Sequence, residues 1–214
     1  MEKSIYLFLI RHGQSQTNAS KHAQKNLLFP DPNLTALGIL QAQADIKYFE
    51  SKKPLKVYTS VLIRAQETAL IIFPRAKINV VDSLKEVSNE KCFGSNFPLA
   101  NRNLQWQKMA TVGISHQRLV YQKGLFLASG NYKQFVSCTS GNIMTFLQQH
   151  QDQFENNDNI VLVVHANLIQ EFLNTKDTIP NASIIQVYNS PDKTMKTPFY
   201  LGPLDYFFFT TKVS

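Results

Sequence analysis

The stretch LFLIRHGQSQTN, residues 7–18, starts as an apolar run and then sets an arginine, a histidine and a glycine in succession. Read with the residues before it, Ser4 to Ile10 is apolar almost throughout rather than at alternate positions, the pattern of a strand covered on both faces. Strands of that kind belong to parallel sheets flanked by helices, where chemistry collects beyond the carboxyl ends of the strands. Arg11 and His12 stand at such an end. A second apolar run, IVLVV at residues 160–164, finishes the same way on His165.

Between these two runs helical and strand patterns alternate. Thr35 has the character of a helix N-cap, and Leu37, Leu40, Ala44 and Tyr48 follow at spacings of three and four, forming one stripe to about Phe49. A short strand, Lys56 to Thr59, leads to a helix from about Val61 to Phe73 with Leu62, Ala65, Ala69 and Ile72 on its inner side, stopped by Pro74. Ile78 to Val81 is a strand again. Ser140 to Phe154 carries Ile143, Phe146 and Leu147 at helical spacing and closes on the polar ENNDN at 155–159. A further helix starts near Asn167, and ASIIQVYN (182–189) and LDYFFFTTK (204–212) read as final strands. The alternation predicts an α/β fold, a three-layer α/β/α sandwich around a mostly parallel central sheet.

With 214 residues and 43% hydrophobic content the chain can bury a substantial core, and a single domain over 1–214 is expected. Residues about 91–138 break the alternation, mixing Phe93, Phe97, Trp106, Tyr121 and Phe126 with several glycines and no clear strand, so an inserted, partly helical cap is expected there. The first apolar run ends at Ile10 and none later is longer, too short for a secretory leader or a membrane span, which predicts a cytoplasmic protein with no membrane partner. Cys92 and Cys138 lie far apart without CxxC or Cys/His spacing, so neither a disulfide framework nor a metal site is expected.

The formal net charge of +7 has a local origin. From Lys91 through Gln151 there is no Asp or Glu, while Lys91, Arg102, Lys108, Arg118, Lys123 and Lys133 supply six positive charges; the rest of the chain holds 16 basic and 15 acidic residues. The region has no run of adjacent basic residues and no basic/aromatic repeat, so nucleic acid is not an expected partner. Two readings stand, a solvated face and a surface that attracts an anionic substrate.

Arg64 lies one turn into the helix after the strand VYTS at 57–60. If the strands are parallel and adjacent, Arg11, His12, Arg64 and His165 converge at one sheet edge. Two guanidinium forks and two imidazoles around a point suit a multiply charged anion, and phosphate is the natural candidate.

The segments LIRHGQSQTN, NLTALGILQAQ, VYTSVLIRAQETA, LKEV, VLVVHANLIQ and NASIIQV occur in this order and together resemble the histidine phosphatase superfamily, which includes the phosphoglycerate mutases. The resemblance runs from about residue 5 to residue 187. It implies that His12 is the nucleophile that becomes a phosphohistidine, that Gly13 lets the backbone approach the anion, and that Arg11, Arg64 and His165 form the phosphate pocket. It also implies a charged His165 beside a neutral His12, hence environments that separate their pKa values. Glu86 matches the acid that protonates the leaving oxygen; Glu90 is the rival, and Glu86 is favoured by its position after Leu84. Asn18 and Asn167 match amides placed near the phosphate or substrate, with helix capping as the alternative for both.

Gln14 stands where an acid is common, and Ala166 replaces a frequent glycine. ASKHAQKNLLFPDP, residues 19–32, lacks the aromatic, glycine-containing segment typical of phosphoglycerate mutases, and the glycine-tryptophan-acid pattern after Glu86 is missing. A mutase needs a closed, water-poor pocket to retain its bisphosphate, so hydrolysis is the expected branch. The expectation is a phosphatase without metal or cofactor, acting on a phosphomonoester. The substrate is expected to be an anionic small molecule more readily than a protein. A phosphoprotein phosphatase, a phosphoglycerate mutase and a catalytically weak phospho-ligand-binding member are the alternatives.

Overall fold

The opening apolar run folds as β1, Ser4–Arg11, inside an eight-stranded sheet. The computed structural model describes residues 3–19, 31–52, 55–86, 116–121, 141–189, 192–196 and 205–209. In chain order the further elements are α1 (Gln16–Ala19), α2 (Ala36–Ala44), α3 (Ile46–Phe49), β2 (Leu55–Ser60), α4 (Ile63–Ile72), β3 (Ile78–Val81) and β4 (Leu119–Tyr121). After them come α5 (Ile143–His150), β5 (Asp158–Val164), α6 (Ala166–Leu173), β6 (Ile184–Tyr188), β7 (Met195–Lys196) and β8 (Asp205–Phe209). The sheet order is β4-β3-β2-β5-β1-β6-β8, with β7 paired to β1.

From β4 to β1 every pairing is parallel, whereas β6 and β7 run antiparallel to β1 and β8 antiparallel to β6. The central strands alternate their side chains between two apolar layers, as the period of two demands. Phe8, Ile10, Val57, Val161 and Val163 face a layer with α4 and Phe49, while Leu7, Leu9, Tyr58, Leu162 and Val164 face one with α5 and α6. That is the expected three-layer α/β/α sandwich with a mostly parallel sheet.

Helix α4 is the most enclosed element, with nine of its ten residues buried, so it has no solvent face of the kind its apolar stripe suggested. Leu62 gives it no side-chain cap hydrogen bond, and at its other end Phe73 contributes a backbone N–H to the Ala69 carbonyl. Side-chain partners at both ends come from distant residues. Asp31 takes the Ile63 N–H at 2.8 and 3.0 Å, and the Arg118 guanidinium donates to the carbonyls of Leu70, Phe73 and Ala76. An anion at the N-terminus and a cation at the C-terminus both suit the helix dipole.

Three sequence expectations are corrected. The helix after Thr35 is divided at Asp45 into α2 and α3; its buried residues are Gly38, Ala42 and Phe49, and of the expected stripe Tyr48 packs on the core against Phe8, whereas Leu37 and Leu40 do not. Leu37 and Leu40 are 42% and 51% exposed, because the side facing the first strand's exit meets backbone at Gln14 and admits only small residues. The segment read as an inserted cap contains β4, a strand of the main sheet paired with β3. Apart from 116–121 its residues, among them Cys92, Arg102, Lys108 and Cys138, lie outside the described ones, as does the rival acid Glu90. Thirdly, the N-cap of α6 is His165, and Asn167 sits exposed in its first turn. Among the described residues no helix is long and apolar enough to cross a membrane.

Candidate active site

Parallel register places the chemistry. Arg11 of β1 pairs with Val164 of β5, so the next residues, His12 and His165, leave the sheet side by side, with ring centroids 5.2 Å apart. On the other flank of β5, Thr59 pairs with Val163, which brings Ser60 to His165. The Ser60 Oγ lies 2.8 Å from His165 Nε2 and accepts the Leu62 N–H at 3.1 Å. His12, Ser60 and His165 are all buried.

His12 is held at three points. Its N–H bonds the Val164 carbonyl at 3.0 Å, and its own carbonyl accepts from Ala182 N–H at 3.2 Å and Asn181 Nδ2 at 3.1 Å. Its ring Nδ1 lies 2.7 Å from the Gly13 carbonyl, an acceptor only, so Nδ1 carries the proton and Nε2 presents a lone pair. Arg64 Nε donates to that Nε2 at 3.2 Å. Gly13 donates its N–H to Thr68 Oγ1 at 3.0 Å, and Thr68 in turn donates to the Arg64 carbonyl at 2.8 Å, tying the His12 turn to α4.

Arg64 faces the Asp31 carboxylate at 3.7 Å. Arg11 donates from one terminal nitrogen to the Ile179 carbonyl, while its buried Nε has no hydrogen-bond partner among the described residues. Burial lowers the pKa of both guanidinium groups; the Glu86 charge acts on both in the opposite sense, which places that carboxylate within electrostatic reach of the pocket. Burial comes first among the causes that push both histidines well below their ordinary range. Arg64 and then Arg11 add to it at His12, and Arg64, His12 and Arg11 add to it at His165. Both shifts run in the same direction, away from the charged form that the resemblance implies for His165. Both imidazoles are buried and lie under the same two cations.

Backbone contacts fix the site's walls. A Cβ on Gly13 would meet the Gly38 carbonyl oxygen at 2.5 Å, and one on Gly141 would meet the Lys85 oxygen at 1.9 Å. The second contact, with Asn142 N–H on the Ser83 carbonyl at 2.8 Å, clamps the turn that carries Glu86.

A model of the histidine phosphatase superfamily (branch 1) matches residues 7–190. The chain belongs to that superfamily. Among curated relatives it is 37% identical over 93 residues to a 2,3-bisphosphoglycerate-dependent phosphoglycerate mutase of Rhizobium meliloti (strain 1021), covering 41% of this chain and 42% of the mutase. The match thus spans less than half of that relative's length. Two crystal structures of a phosphoserine phosphatase from Entamoeba histolytica, one a mutant in complex with phosphoserine and one in complex with 3-phosphoglyceric acid, share the fold. Each has a TM-score of 0.55 at 22% identity, covering 91% of this chain and 96% of the other.

Set against the sequence expectations for the superfamily, the structure brings Arg11, His12, Arg64 and His165 together, with the Glu86 charge acting on both arginines. Asn18 is exposed, and its Oδ1 accepts from Ser15 N–H, Ser15 Oγ and Asn181 Nδ2, so it first serves to close the turn after His12. Asn167 stands on the surface of α6. Asp31, Ser60 and Asn181 were not assigned site roles from the sequence. Ser60 and Asn181 lie inside the motifs VYTSVLIRAQETA and NASIIQV, and a search of those motifs for short polar residues would have found them. Asp31 precedes NLTALG by two residues, and nothing local marks it.

Proposed function

We propose that the protein is a phosphatase that hydrolyses a small phosphomonoester through a phosphohistidine on His12. The observation that carries this is the state of His12. Its proton is fixed on Nδ1 by the Gly13 carbonyl, and its Nε2 lone pair sits beside Arg64 in a buried cationic pocket. A neutral imidazole is a nucleophile, and two guanidinium groups would stabilise charge on the equatorial phosphoryl oxygens. The step runs as an in-line attack. Nε2 forms a bond to phosphorus, the bond from phosphorus to the leaving oxygen breaks, and Glu86 gives that oxygen its proton. Water then attacks phosphorus, Glu86 takes the water's proton, the N–P bond breaks, and inorganic phosphate leaves with His12 neutral again.

Small phosphorylated carboxylic acids are the substrate class put forward, supported by the phosphoserine and 3-phosphoglyceric acid complexes of the Entamoeba histolytica enzyme that shares the fold. Arg118 is withdrawn from any role in attracting substrate, because its guanidinium caps α4. The test is to assay wild type and His12→Ala on a generic aryl phosphate, phosphoserine, the phosphoglycerates and a phosphopeptide, with trapping of labelled phosphate on protein by a denaturing alkaline quench. The reading expects phosphate release and a base-stable label in wild type, neither in the variant. Interconversion of phosphoglycerates without phosphate release would favour a mutase. Release of phosphate by His12→Ala at the wild-type rate would refute the mechanism.

A further inference from the structure

Ser60 and His165 are both fully buried, at 0% exposure, and their hydrogen bonding can be balanced atom by atom. A serine hydroxyl has one proton to give and two lone pairs to receive with. The Leu62 N–H occupies one lone pair at 3.1 Å. The hydroxyl proton then needs an acceptor, and the group at 2.8 Å is His165 Nε2. A backbone N–H cannot accept, so the Ser60 O–H donates to Nε2, and Nε2 is the unprotonated nitrogen of that ring. The ring's proton is thereby on Nδ1, which is buried and has no hydrogen-bond partner among the described residues.

We propose that Ser60 is a positioning residue for phosphoryl transfer. It holds His165 as the neutral tautomer with its proton on Nδ1, and this N–H, not an imidazolium, is the ring's donor to the phosphoryl oxygens. The phosphoryl part of the inference rests on the phosphatase reading; the tautomer does not. Protonating His165 would turn Nε2 into a donor facing the Ser60 hydroxyl and strip that hydroxyl of its acceptor in a buried place. The charged groups around the ring act in the same direction. Arg11 at the end of β1 and Arg64 on α4 both disfavour a second cation, as does His12, and Glu86 acts on the two arginines. The arrangement supplies positive charge from guanidinium groups that cannot lose it and directed donation from a ring that does not gain it.

The experiment is ¹⁵N NMR of the histidine side chains in the full-length wild-type protein, repeated with inorganic phosphate and in Ser60→Ala and Ser60→Thr. The wild-type spectrum at pH 7 is expected to show His165 with Nδ1 in the protonated range and Nε2 in the unprotonated range. Phosphate should shift Nδ1 while Nε2 stays unprotonated. In Ser60→Ala the tautomers should mix, with kcat on an aryl phosphate falling roughly tenfold to a hundredfold and KM changing little, the pattern of a mispositioned group. Ser60→Thr retains the hydroxyl and is expected to restore the tautomer. A wild-type His165 protonated on Nε2, or doubly protonated with phosphate, overturns the proposal even if neither variant folds. Wild type with the expected tautomer but no hydrolysis of any phosphomonoester would overturn the phosphatase reading and leave the Ser60 assignment standing.

Discussion

Replacing Gly38 by alanine sets two principles against each other with opposite signs. Gly38 is the third residue of α2, and alanine in place of glycine inside a helix is ordinarily worth about 1 kcal/mol of added stability. Here the added Cβ would lie 2.1 Å from the Gln14 carbonyl oxygen, where real contacts essentially never fall under 3.0 Å. The neighbour that must yield is backbone, and the Gln14 strap is fixed by Thr35 N–H on its carbonyl at 2.9 Å and by Gln41 Oε1 on its N–H at 2.8 Å. A shift of roughly 1 Å is therefore needed, and forced overpacking of this kind costs about 1–3 kcal/mol, enough to outweigh the helical gain. The displacement reaches the chemistry within one residue, because the Gly13 carbonyl orients His12 Nδ1. A misplacement of about 1 Å can cost on the order of 100-fold in rate. Urea unfolding should show Gly38→Ala less stable than wild type by about 1 kcal/mol or more, and kcat on an aryl phosphate should drop by at least about tenfold. A stabilised variant with unchanged kcat would show that α2 and the His12 turn are not in backbone contact, and the account of the inner face of α2 would fall.

Two further perturbations probe the supports of Arg64 and α4. Asp31→Ala removes the acceptor of the Ile63 N–H and the carboxylate facing Arg64, and the loss of one member of a buried ion pair should cost roughly 3 kcal/mol by urea titration. Asp31→Asn keeps an acceptor for the N–H and should lose less; equal stability of all three proteins would sink this role. Glu67, buried on α4 and accepting from Asn33 Nδ2 and the Leu34 N–H, has its pKa raised to about 7, with burial the largest cause and the Asp31 charge adding to it. Its folded pKa lies above the unfolded value, so its contribution is complete below about pH 4.5, declines as pH rises toward about 7 and is flat beyond. The stability of Glu67→Gln relative to wild type should rise by up to about 3 kcal/mol across that window, and parallel pH curves would contradict it.

The sheet edge that carries the candidate site was legible in the sequence because buried parallel strands announce themselves as unbroken apolar runs and then end together. β1 and β5 each deliver a histidine at the same height, and the register Arg11 to Val164 follows from nothing more than two runs of similar length being neighbours. The inner face of α2 was not legible for the opposite reason. Apolar spacing assumes that a helix packs through large side chains, whereas α2 packs through Gly38 onto backbone and turns Leu37 and Leu40 outward. Sequence motifs identify the two histidines but not that both lie under the same two guanidinium groups, which lower both pKa values after burial.

The position of Arg64 shows how far a local motif depends on distant residues. VYTSVLIRAQETA names the arginine, yet the N-cap residue of the helix that carries it, Leu62, gives no side-chain cap hydrogen bond. Its N-terminus is completed by Asp31, and its C-terminal carbonyls by Arg118, which belongs to the acid-free region. Part of that region's positive charge is therefore spent on the fold. Arg118 lies immediately before β4, so adding this edge strand to the sheet also closes the end of α4. Arg118 and the candidate pocket are then coupled through one helix. Neutralising Arg118 should loosen α4 and lower activity by destabilising the scaffold, with the salt dependence of kcat/KM unchanged, which separates a structural cation from one that attracts substrate.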